Sequence, residues 1–142
     1  MAELKWEKVL SGSQGMGLRY GEDWKTVPAI AVSSIGITFN RPASNIFKLN
    51  AGNRVWLHVS KDGVRAIGFK HVLDNEPAGG SYLLVSQSKT HKTKSGENPL
   101  VFIHAKSILK DLADCRGYAF RACLNSSDRI IEVVLDPSNR CK

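Results

Sequence analysis

The stretch AVSSIGITFNRPASNIFKLNAGNRVWLHVSKDGVRAIGFKHV, residues 31–72, changes its hydrophobic period along its length, and those changes set the architecture. AIAV at residues 29–32 and GITF at 36–39 are apolar, rich in β-branched side chains, and read as extended chain. Asn40 then offers a side-chain oxygen to the first free amides of a helix. Pro42 falls in that helix's first turn, where a missing N–H costs nothing. Ala43, Ile46, Phe47 and Leu49 give the short helix one apolar side, and NAGN ends it at Gly52. From Arg54 the period becomes two, with Val55, Leu57 and Val59 toward one face and Trp56, His58 and Ser60 toward the other. KDG turns the chain at Gly63, and RAIGFKHV returns with Ile67 and Phe69 inward. The order is β-α-β-β.

The same order recurs downstream. A strand around Leu100 to Ile103 leads into a helix bearing Ile108, Leu109 and Leu112, and Gly117 stops it. Tyr118, Phe120 and Ala122 then alternate inward, NSSD turns, and RIIEVVLD returns. Val55 matches Tyr118 at an offset of 63, and Ile67 matches Ile131 at 64. A near-constant offset predicts an internal duplication. The expected fold is therefore α+β, with two β-α-β-β units sharing one small barrel or sheet and short helices at its edges.

The rest of the chain divides around these units. Residues 1–27 read as an N-terminal arm: SGSQGMG is too glycine-rich for regular structure, and Trp6, Tyr20 and Trp24 are rings suited to pinning the arm onto the body. Residues 28–73 form the first unit, 74–99 a strand (SYLLVS) and a basic connecting loop, 100–136 the second unit, and 137–142 a tail.

Composition narrows the function. Of 142 residues, 42% are hydrophobic and 23% charged, the balance of a globular domain able to bury a core without staples. No apolar run is long enough to span a bilayer, and the N-terminus lacks the apolar segment of a signal peptide, so a cytoplasmic protein is expected. Cys115, Cys123 and Cys141 are odd in number and form no C-x-x-C pair, which argues against a disulfide framework and against zinc. The net charge is +7; residues 1–30 are neutral, and the excess begins at Ala31. Such a field attracts phosphate backbones or acidic proteins.

The run Gly36-Ile37-Thr38-Phe39, Leu49, Gly52-Asn53 and Arg54-Val55 resembles the AbrB/SpoVT/MraZ class of swapped-hairpin DNA-binding domains, in register and without a gap. The resemblance covers residues 33–72 and implies a small DNA-binding regulator. Arg41, Lys48 and Arg54 lie near the face such domains use, with Arg65 and Lys70 on the hairpin. Asn40 stands where the class carries proline, Ser44 where a basic helix residue is common, and Asn53 where an acid is usual. Backbone and shape contacts, rather than base readout, follow from the scarcity of forked side chains at that face.

Lys89, Lys92 and Lys94, in the polar loop QSKTHKTKSGEN, form the densest positive cluster and are further candidates for phosphate contact. Trp56, facing away from the core side of its strand, is a candidate partner anchor or a ring covered by another layer. His58, His71, His91 and His104 have no metal-ligand spacing, and His104 reads as a polar cap for the second helix. No G-x-S-x-G, H-E-x-x-H or D-x-D run is present. The reading is a non-enzymatic DNA-binding protein without cofactor or metal, compatible with a homodimer. The alternative is a phage- or plasmid-type adaptor or inhibitor docking on an acidic partner protein.

Overall fold

The computed structural model of the chain describes residues 20–60, 63–86 and 100–142. A one-turn helix α1 (Asp23–Thr26) precedes strands β1 (Ala29–Val32) and β2 (Gly36–Phe39), helix α2 (Arg41–Ile46), and the hairpin β3 (Arg54–Val59) and β4 (Ala66–His71). The two short strands β5 (Tyr82–Leu83) and β6 (Val85–Ser86) follow, then β7 (Val101–His104), helix α3 (Lys106–Leu109) and a 3-10 turn at Ala113–Cys115. Strands β8 (Ala119–Arg121), β9 (Cys123–Asn125) and β10 (Ile130–Val134), with a last 3-10 turn at Pro137–Asn139, complete the described chain.

The strands form two antiparallel five-stranded sheets, ordered β6-β7-β2-β1-β8 and β5-β3-β4-β10-β9. This corrects the expectation of one barrel or one sheet. The chain passes from sheet to sheet at Leu84, between β5 and β6, and at Ala122, between β8 and β9. At those crossings the amides donate outside the strand ladders, Leu84 N–H to the Asn53 carbonyl and Ala122 N–H to that of Pro28, each at 2.8 Å. The ladders are interrupted at both corners, so the sheets pack as two layers.

Between them lies the main core. Phe39 of β2 meets Phe69 of β4 edge-on at 4.9 Å, and Phe120 joins them, all essentially inaccessible. Burying rings of this size stabilises the fold by roughly 2–3 kcal/mol each. β1 is buried on both faces: Ile30 and Val32 enter this core, whereas Ala29 and Ala31 face a second cluster with Tyr20, Trp24 and Ala119. Alanines leave room for the two rings, which lie 5.1 Å apart. Tyr20 and Trp24 thus pack their own short segment against β1; the rest of the arm, residues 1–19 including Trp6, lies outside the described residues.

Asn40 is the joint. Its Oδ1 accepts from Ala43 N–H at 2.9 Å, the predicted helix cap, and from Ala29 N–H at 3.0 Å. Its Nδ2 donates to the carbonyls of Trp24 at 2.9 Å and Val27 at 2.6 Å. One fully buried amide therefore ties α1, β1, β2 and α2 together, with all four of its bonding positions used.

Local expectations fail where the surroundings differ from the pattern. Ile46 is 61% exposed, because α2 ends at that residue and only Ala43, Phe47 and Leu49 reach the core. Tyr118 lies just before β8 with its ring under the Arg140 guanidinium, 3.6 Å from the ring centre, and is not inward. His104 does not cap α3: it ends β7 with its ring against Phe102, and Ala105 occupies the cap position without a side-chain bond.

Candidate nucleic-acid interface

α2 closes where Phe47 N–H donates to Ala43 O at 2.9 Å, and Leu49 N–H then reaches back to Ser44 O at 2.9 Å. That closure needs a left-handed residue, and Lys48 supplies it at φ 54°. Glycine is the usual occupant because a Cβ is disfavoured there. Lys48→Gly is accordingly expected to raise thermal stability, by about 1 kcal/mol, in a calorimetric or circular-dichroism melt, while removing one exposed cation.

His71, at the end of β4, donates from Nε2 to the Phe47 carbonyl at 2.8 Å, which fixes the end of α2 against the second sheet. Lys70 precedes it, half-buried and directly opposite Trp56 on β3. Trp56 is not a bare anchor: its Nε1 donates to Glu76, and its ring lies beside Gly80. The layer that partly covers it includes the segment between β4 and β5. Arg54 is also engaged, donating from Nε to Ser81 Oγ at 2.7 Å and from Nη2 to Ser81 O at 2.9 Å, which closes that segment onto β3. A groove of about 390 Å³ opens here, and its lining, which includes Arg54, Asp74 and Glu76, carries both signs of charge.

The structure brings Lys48, Arg54, Trp56 and Lys70 to one end of the second sheet. Arg65 is at the other end of β4, roughly 17 Å away along the strand. There its guanidinium grips both Asp114 oxygens, at 2.6 and 2.8 Å, and the Asp111 carbonyl. The Arg65 hydrogen bond holds the Asp114 carboxyl below its ordinary range, and the same bond raises Arg65. Both groups are exposed, so this clamp is a solvent-screened surface contact. Arg41 is exposed at the first position of α2. Lys89, Lys92 and Lys94 lie outside the described residues.

Three cations that the motif reading passed over come into view. Lys106 and Lys110 are exposed around α3, and Arg129 is exposed in the β9–β10 turn, left-handed like Lys48 at φ 54°. With Lys48 and Lys70 they make no ion pair with another described residue. Most of the acids among the described residues, by contrast, are used within the protein. Glu22 pairs with Lys25, Asp23 with Arg121 and Asp114 with Arg65. Glu76 accepts from Trp56, Glu132 from Asn125, and Asp136 from Ser138. Of the five cations without such a partner, Lys48, Lys106, Lys110 and Arg129 are exposed and Lys70 is half-buried. Only the duplication offset in the sequence, which relates Arg129 to Arg65, pointed toward Arg129.

Burial, together with the charge of Asp23, pushes the Cys141 thiol up to about 11, and burial raises Cys115. Both stay protonated at neutral pH. Among the described residues no group of three His, Cys, Asp or Glu is arranged to hold a metal ion, and no helix is long and apolar enough to cross a membrane. Comparison of the chain with protein-family models, curated proteins and solved structures finds no match.

Proposed function

We propose that this chain is a non-enzymatic protein that binds duplex DNA, chiefly through its phosphates, as a small regulator of the AbrB-like, swapped-hairpin kind would. The observation that carries the reading is the sorting of charge among the described residues: Lys48, Lys70, Lys106, Lys110 and Arg129 have no acidic partner there, whereas most of the described acids are held by internal donors. Cations without an intramolecular partner displace the counterions of a phosphate backbone at no cost in broken ion pairs.

The strand registers support a duplicated chain. At the centre of the first sheet Thr38 pairs with Phe102, and at the centre of the second Gly68 pairs with Glu132; the residues of each pair are 64 apart. A two-fold relation between two similar halves has this signature, because the axis must cross each central ladder where a residue meets its own counterpart. The cations are then distributed over both halves, Lys48 and Lys70 in one and Lys106 and Lys110 in the other, a spread suited to a backbone that repeats along a groove.

The test is a fluorescence titration of a labelled duplex at several salt concentrations. Affinity should fall steeply with salt, and each lost phosphate contact should flatten the log–log slope by about 0.9. Replacing Lys89, Lys92 and Lys94 together with serine should flatten it by up to about 2.7 and weaken all sequences alike. Undetectable duplex binding at low salt, alongside stoichiometric capture of an acidic protein from nuclease-treated lysate, would move the assignment to a protein-docking module.

A further inference from the structure

The separation of 64 residues relates more than strands: it takes Phe47 to Asp111, Asn50 to Asp114 and Arg65 to Arg129. At one junction between the two units these positions make a closed contact, with Arg65 of the first holding the Asp114 carboxylate of the second at 2.6 and 2.8 Å and reaching the Asp111 carbonyl. At the other junction the corresponding carbonyl, that of Phe47, accepts from His71 instead. Asn50, uncharged and exposed, stands where the carboxylate-bearing residue would be, and Arg129 makes no ion pair with any described residue. The β4–β10 ladder sets Ile131 opposite Phe69, which brings Arg129, one residue outside β10, to the end of β4 that carries Lys70 and His71. That is also the end to which His71 fastens Phe47, the neighbour of Lys48.

We propose that Arg129 and Lys48, beside Asn50, form a seat for a phosphate group of a nucleic-acid backbone, which takes the role on Arg129 that the Asp114 carboxylate takes on Arg65. The proposal rests on the duplex-binding reading and on the duplicated register. A planar guanidinium accepts a phosphate and a carboxylate in the same two-pronged geometry, so a seat for one serves the other. Lys48 and Arg129 are the two non-glycine residues with positive φ among those described, each at 54°. Both turns keep a cation where glycine would be less strained, and strain kept in this way concentrates at binding sites. Lys70 adds a third positive charge on the neighbouring strand. The acids near this end leave the seat open: Asp128 adjoins Arg129 without pairing to it, Asp74 lies in the groove beyond Val72, and Glu76 is taken by Trp56.

The experiment uses the intact, isotope-labelled chain with two probes, inorganic phosphate and a duplex of about two helical turns. Phosphate should shift the amide resonances of Asn50 and Arg129 and leave those of Arg65 and Asp114 in place. Arg129→Gln, which keeps the left-handed residue a non-glycine, should weaken duplex binding roughly tenfold and flatten the salt slope by about 0.9 with an unchanged melting temperature. Asn50→Asp should weaken binding similarly by supplying the seat with an internal carboxylate. Arg65→Gln, which breaks a solvent-screened surface pair, should change the melting temperature little and leave the slope alone. If Arg129→Gln or Asn50→Asp binds duplex with wild-type affinity and slope, the seat is wrong while duplex binding stands. If the native chain shows phosphate shifts but binds no duplex, or prefers polyglutamate to a duplex of equal charge, the nucleic-acid assignment is overturned.

Discussion

Asn40→Ala should lower stability by about 4 kcal/mol, enough to bring the melting temperature down by roughly 12 °C in a chain of this length. The size follows from counting what the amide does. Removing it leaves the Ala29 N–H without its acceptor and uncaps α2 at Ala43, and it strips the Trp24 and Val27 carbonyls of a donor. A lost cap costs about 0.5–2 kcal/mol, and each buried group left unpaired costs about 1–3. The site is wholly inaccessible, so water does not replace the missing partners unless the surrounding elements part. Asn40→Asp should be at least as damaging. It keeps the acceptor but turns a carboxylate toward the two carbonyls in a dry site. A thermal or urea melt measures both. An alanine variant that melts within two or three degrees of the native protein, an approximate tolerance, would mean that α1 detaches without loss to the core. Proteolysis near Trp24 would reveal that detachment.

Gly36→Ala should cost about as much by a different route. Gly36 has no left-handed backbone; what it provides is closeness. A Cβ there would lie 1.9 Å from the Ile103 carbonyl oxygen and 2.5 Å from the Phe102 ring. A ring can turn, but the carbonyl belongs to β7, which is bonded to β2 on one side and β6 on the other. Making room therefore strains two ladders at once. Even where side chains can adjust, overpacking costs about 1–3 kcal/mol, and an obstruction by backbone should exceed that range, at roughly 3–5. The same ladder contains the Thr38–Phe102 pair, so the variant should also disturb the centre of the first sheet. Its duplex affinity should fall only in proportion to the folded fraction, unlike Arg129→Gln, which changes affinity in a folded protein. Circular dichroism and titration on the same sample separate the two. A variant with native stability would mean that β7 shifts freely, contrary to the close packing of β2 against it.

The sequence by itself determined what depends on residues near one another in the chain. The strand–helix–hairpin order from Gly36 to His71, the Asn40 cap, the end of α2, the turn at Gly63 and the inward Ile67 and Phe69 are all written in periods, caps and turns of a few residues. Each is governed by local sterics and hydrogen bonding that act before the chain closes. Long-range closure decided the rest. Nothing local announces that the strand through Leu84 and the one through Ala122 change sheets, yet those crossings make two layers of what alternation alone would let close as a barrel. Trp56 reads as an outward ring until Glu76, 20 residues on, takes its N–H. Arg65 reads as one more cation of the hairpin until Asp114, 49 residues away, engages it. Charge composition counts acids and bases but is blind to which have found each other. Only the folded chain sorts the cations with carboxylate partners from those still facing solvent, because ion pairing depends on distance in space and very little on distance in sequence.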